Sequence, residues 1–199
     1  DAALPHYAEA WDRDADRLDA FEALEAAYRD RRNWSELYGL LSERATRLGE
    51  DTSAAPIWLE LASVAERQLD DIPEAISAFE SALAVDGKNE EALDALIRLY
   101  HRYERHQELA RCYEGKAALT ASRSERLGLL ALAANLLAGR LEEDEHAQEL
   151  VDSVLDEDEN HALGNMVRAR LLARGGRAKE AAEVLEMARV HLSGSEEVE

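Results

Sequence analysis

Glu74-Ala75-Ile76-Ser77-Ala78-Phe79-Glu80-Ser81-Ala82-Leu83, closed by Asp86-Gly87-Lys88-Asn89, is the stretch on which the fold turns. Ala75, Phe79 and Ala82 stand at i, i+4 and i+7, one face of a helix. Small residues at the first and third positions let a neighbouring helix come close. The same frame recurs at Ala3/Tyr7/Ala10, Leu37/Leu41/Arg44, Leu109/Tyr113/Lys116, Ala147/Val151/Val154 and Ala181/Leu185/Ala188. First members are spaced 34, 38, 34, 38 and 34 residues apart, so two helix pairs make a super-repeat of 72. Leu24, Tyr28, Glu36 and Leu37 accordingly return as Leu96, Tyr100, Glu108 and Leu109. Arg44 returns as Lys116.

A second helical stretch lies between successive frames, with turn signals on either side. Asn33 with Glu36, Asp71 with Glu74, and Ser122 with Glu125 read as capping boxes. Ser53 with Pro56 starts another helix, and Gly175-Gly176 ends one. The pattern predicts eleven helices, at 2–12, 17–31, 34–47, 54–69, 72–86, 89–103, 106–119, 123–139, 144–157, 161–174 and 178–192.

With these residues in place the chain resembles the tetratricopeptide repeat family, in its bacterial tandem-repeat form. Ala75, Phe79, Ala82 and the turn Asp86-Gly87-Lys88-Asn89 match the family's second helix, with Gly87 where the family prefers Pro. Leu96, Tyr100, Leu109 and Tyr113 carry the next repeat, and Gly176, Glu180, Ala181, Leu185 and Ala188 the last. The family's first-helix Trp and Gly are largely missing, and one extra residue occupies the turn before Ala75. The resemblance implies an all-α, right-handed superhelical solenoid of antiparallel helix pairs spanning residues 1–192, with 193–199 an acidic tail or linker. The chain opens on a second helix without its partner, so its true start is expected upstream, in a longer array.

Charge and composition narrow the function. Lys and Arg number 23 against 43 Asp and Glu, a net charge of −20, which argues against a nucleic-acid backbone or an anionic lipid surface as the main partner. No apolar run approaches the roughly 20 residues that span a bilayer, so no direct membrane insertion is expected. Arg far outnumbers Lys and Ala is abundant, which points to a GC-rich bacterial genome. The single Cys112 reads as a small core residue. Zinc-protease His spacing, a phosphate-binding Gly loop and G-x-S-x-G are all missing, and Asp156–Asn160 departs from a calcium loop at its sixth and twelfth positions. The expectation is therefore no catalysis, no metal and no cofactor. A cytoplasmic location is favoured, with a periplasmic one open.

Two surfaces qualify for a protein or peptide partner, or a neighbouring subunit of a larger assembly. In the resembled family the first helices line the groove. Carried over, its outward positions are Glu22, Arg29, Asp94 and Arg98, followed by His101, Arg102, Asn135 and Arg170. Arg98, His101 and Arg102 lie within about a turn of each other and suit an acidic or phosphorylated segment. The second surface is the stretch 141–160, with ten carboxylates and no Lys or Arg. Glu149, Asp152, Asp156 and Asp158 are its candidates for a basic partner; the plainer reading is a solvated outer helix. Arg31, Arg32, Arg67, Arg102, Arg140 and Arg174 fall at first-helix ends, where cations complement the helix dipole. A basic edge is expected there, opposite an acidic one holding Asp14, Asp16, Glu50, Asp51, Asp86, Glu157 and Asp158. The function expected is a non-catalytic interaction scaffold; the alternative is a regulatory or substrate-recruiting module of a larger enzyme.

Overall fold

The structure, a computed structural model, describes residues 4–14 and 17–196, with side chains as far as Arg189. Among them are eleven α-helices and no strand. The chain divides into two compact units, 1–96 and 97–199. The first holds α1 (Leu4–Arg13), α2 (Leu18–Asp30), α3 (Trp34–Leu48), α4 (Ala55–Arg67) and α5 (Ile72–Val85). It ends within α6 (Glu90–Arg102). The second continues with α7 (His106–Leu119), α8 (Arg123–Leu136), a π turn over Leu137–Leu141, α9 (Asp144–Glu157), α10 (Ala162–Arg174) and α11 (Ala178–Glu196). The backbone of α11 thus runs past the expected end at 192, and 197–199 lie outside the described residues.

In the first unit consecutive helices pack on one another from α1 to α5. The frame does what its spacing requires: Ala75, Phe79, Ala82, Leu37 and Leu41 are all buried. A fully buried leucine such as Leu37 contributes roughly 1.5–3 kcal/mol over an exposed one. Arg44 occupies a frame position without breaking the packing, because its guanidinium carbon lies 6.0 Å from the Phe21 ring centre. The opening copy differs from expectation. Ala3 lies outside the described residues and Tyr7 is exposed. Trp11 is buried instead, its ring 5.6 Å from Phe21 and its Nε1 donating to Glu43 at 2.9 Å.

In the second unit α8 packs on α7, α9 and α10, and α11 on α10. Ala110, Ala133, Ala134, Leu137, Ala147 and Val151 form one core with Val167 and Leu171. The alanines of α8 leave room for neighbours on three sides, and Cys112 is buried nearby in sequence on α7. Ala181 of the last frame is buried, whereas Leu185 and Met187 are exposed.

The turn from each first helix to its partner is the same device five times. Its left-handed residue is Arg32, Asp70, Glu104, Glu142 or Gly176, each two positions before the next helix begins. The closing hydrogen bond alternates. Asn33, Arg105 and Arg177 donate their N–H to the carbonyl five residues back, Asp71 and Glu143 to the one six back. The two wide turns are 72 residues apart and absorb the extra residue that the sequence places before Ala75. At the end of α8 the wide turn is the π turn, so the single helix expected over 123–139 stops being α at Leu136.

The caps are simpler than capping boxes. Asp71 and Ser122 accept from the N–H of Glu74 and Glu125, but those glutamates turn to Tyr38 (2.7 Å) and Thr120 (2.8 Å) rather than back to the cap. Asn33 makes no side-chain cap at all. Ahead of α4 the capping side chain is Asp51, accepting from the Ser53 N–H at 2.8 Å, and Ser53 itself does not cap.

Only glycine takes the left-handed turn without strain, a side chain there costing roughly 1–2 kcal/mol. Arg32→Gly is therefore expected to raise stability by about 0.5–1 kcal/mol after the added chain entropy, and Gly176→Ala to lower it by about 1. Urea unfolding of the two variants beside the parent checks the opposite signs.

Candidate functional site

The groove residues expected from sequence fall into separate groups. Glu22, Arg29 and Asp94, in the first unit, are exposed. Arg29 is held by Glu25 at 2.7 Å and by Glu60 on α4, so it clasps helices together. Arg98 and Arg102 are exposed on α6, the latter with its guanidinium carbon 5.5 Å from the Tyr103 ring centre. His101, Asn135 and Arg170 are brought together. They line one cleft of about 710 Å³ in the second unit.

The π turn builds this cleft. Arg170, one turn before the end of α10, donates from Nη1 to Asn135 Oδ1 at 2.9 Å. The same nitrogen lies only 2.9 Å from where a Cβ on residue 139 would stand, so Gly139 leaves the space the guanidinium occupies. Arg174 donates from Nη2 to the Ala138 carbonyl at 2.6 Å and from Nη1 to Asp144. Arg140 comes next along the turn, exposed, its side chain making no hydrogen bond or ion pair among the described residues. Arg140, Arg170 and Arg174 thus line the same cleft. His106 and Leu109 of α7 and Leu136 complete the lining, with Glu104 as its one carboxylate.

Sequence reasoning placed Arg140 and Arg174 at helix ends but not in a binding site, and it missed Gly139, Glu104 and His106. A signal was present. The preceding copy of the super-repeat has Arg67 and Gln68 in place of Gly139 and Arg140.

The acidic candidates lie on and just after α9. Glu149 and Asp156 are exposed; Asp152 accepts from Gln148 at 2.7 Å, and Asp158 from the Asn160 N–H at 3.2 Å. Glu149 lines, with Asp144, Glu145, Gln148 and Arg174, a second depression of about 550 Å³. The acidic edge expected around Glu157 is not uniformly acidic. Arg126 donates to the Glu157 carboxylate at 2.6 Å, and Arg123 donates to the carbonyl of the same residue. Asp16 of that edge lies outside the described residues. Among the described residues no group of three or more His, Cys, Asp or Glu is placed to hold a metal, and no helix is long and apolar enough to cross a membrane.

No family model matches the sequence, and no curated protein matches it. Solved structures do share the fold. A crystal structure of MamA superposes with a TM-score of 0.51 at 11% identity, covering 90% of this chain and 93% of that one. MamA AMB-1 gives 0.52 at 15% identity, over 91% and 94%. The shared architecture is an all-α solenoid of tetratricopeptide-like helix pairs, and that is the fold of this chain.

The hydrogen bond from Arg126 holds the Glu157 carboxyl below the usual carboxylate range. A depressed folded-state value contributes stability above the unfolded pKa of about 4.3, lost as pH falls through the folded one. Arg126→Gln is expected to melt below the parent at neutral pH, with the gap narrowing as acid protonates the Glu157 carboxyl. Thermal melts at neutral and acid pH measure it.

Proposed function

We propose that the chain is a non-catalytic protein-interaction scaffold of the tetratricopeptide type, taking a segment of a partner protein on the first-helix side of its second unit. The observation that carries this reading is the convergence of His101, Asn135 and Arg170 on one cleft. Those positions come from three different first helices, so the partner reads several repeats at once. The lining suits binding and not turnover: it offers fixed cationic donors, two imidazoles and an apolar floor of Leu109 and Leu136. The scaffold works by holding, and its rigidity comes from the stacked helix pairs behind the cleft.

Affinity capture from native extract, with the parent chain and with Arg140→Glu/Arg170→Glu as bait, tests this. Partners retained by the parent are expected to be lost from the double variant and kept by Arg111→Glu, a charge reversal at an exposed site on α7. Equal retention by all three baits contradicts the assignment.

A further inference from the structure

The three arginines are arranged for a particular kind of anion. Arg170 and Arg174 are not loose side chains, since each is tied by a hydrogen bond to the 135–138 segment. Holding the guanidiniums in place before a ligand arrives removes much of the ordering entropy of binding. Arg140 keeps its whole donor set, and Arg170 keeps the donors that Asn135 does not use. Glu104 is the single carboxylate in the lining, while Asp144 is taken up by Arg174. A carboxylate presents two oxygens in one plane and satisfies one fork. A phosphomonoester presents three acceptor oxygens in different directions and carries nearly two charges. Donors coming from the turn and from α10 match the second.

Three further observations restrict what bears the phosphate. The cleft, at about 710 Å³, is far larger than one phosphate group and has apolar floor beside the arginines, which suits neighbouring residues of a segment. Arg174 is shared with the depression of about 550 Å³ lined by Asp144, Glu145 and Glu149, so a basic wall passes directly into an acidic one. A chain of evenly spaced phosphates is repelled by that wall and by the ten carboxylates of 141–160. A single phosphate followed by a cation is not.

Resting on the protein-interaction reading above, we propose that the Arg140–Arg170–Arg174 cleft binds a phosphorylated serine or threonine of a partner segment that carries a Lys or Arg close to the phosphate. The phosphoryl oxygens sit among the guanidiniums, and the neighbouring cation faces Glu145 and Glu149.

Fluorescence anisotropy of the full chain with randomised peptide pools tests it. One pool has a fixed phosphoserine with nearby arginine, a second has glutamate for the phosphoserine, and a third has phosphoserine with nearby glutamate. The first is expected to bind about tenfold or more tighter than either other pool. Arg140→Gln and Gly139→Ala are each expected to weaken it about tenfold while leaving the melting temperature unchanged. The alanine is informative because its Cβ meets only the far end of Arg170. Equal binding of the first two pools overturns the proposal, as does no binding, indifference to both variants, or tighter binding of single-stranded RNA. Phosphatase treatment of captured partners separates the two levels. Partners that need Arg140 and Arg170 yet survive dephosphorylation leave the scaffold standing and remove the phosphate.

Discussion

A pair of antiparallel helices carries apolar side chains on both of its flanks, and only another pair stacked against it takes them out of water. Everything else in this protein follows from that requirement. It explains why Ala75, Phe79 and Ala82 recur in frame and why Val151 and Val154 are wholly buried. It explains the alanine-rich face of α8, which is approached by helices on several sides. The polar contacts obey the same stacking. Trp11–Glu43, Tyr38–Glu74, Glu114–His146 and Asn135–Arg170 join residues 32, 36, 32 and 35 apart, about one helix pair each. Each is worth little by itself at a wet surface. Their regularity reports which pair lies against which.

The stack tolerates one variation, and chemistry gathers there. An extra residue in alternate turns widens the closing hydrogen bond at Asp71 and again at Glu143. At the second of these the end of α8 swells into a π turn, which holds the carbonyl of buried Ala138 and the glycine after it. Arg174 takes the carbonyl and Arg170 takes the room above Gly139. A local insertion, absorbed by the backbone at small cost, thereby places three cations that the sequence spreads over 35 residues. Insertions of this type in helices are often found at functional positions; here the reason is geometric.

The fold was legible because stacking imposes a period. Apolar spacing at 34 and 38 residues gave helix number and order, and most boundaries fall within two residues of those expected. What stayed hidden depends on which of several polar partners a side chain selects. Glu74 and Glu125 could cap their own helices, yet Tyr38 and Thr120 offered better-placed donors. Arg126 could lie along an otherwise acidic edge, yet it pairs with Glu157 one repeat away. The cleft was half legible: His101, Asn135 and Arg170 were reached through the groove positions of the resembled family. Gly139 and Arg140 were not, because their role comes from the π turn, and apolar periodicity does not report a one-residue widening.

The average charge of −20 thus describes neither wall of the site. A cationic turn and an acidic helix meet at Arg174, and their boundary is what the proposed segment would read. The most direct measurement is the arginine side-chain N–H spectrum, with Arg140, Arg170 and Arg174 assigned by substitution, followed during titration with a phosphoserine peptide bearing a nearby arginine. Those three resonances are expected to shift together and to saturate together, while Arg111 and Arg168 stay in place. Uniform small shifts across all the arginines, or none at the three, would contradict that expectation.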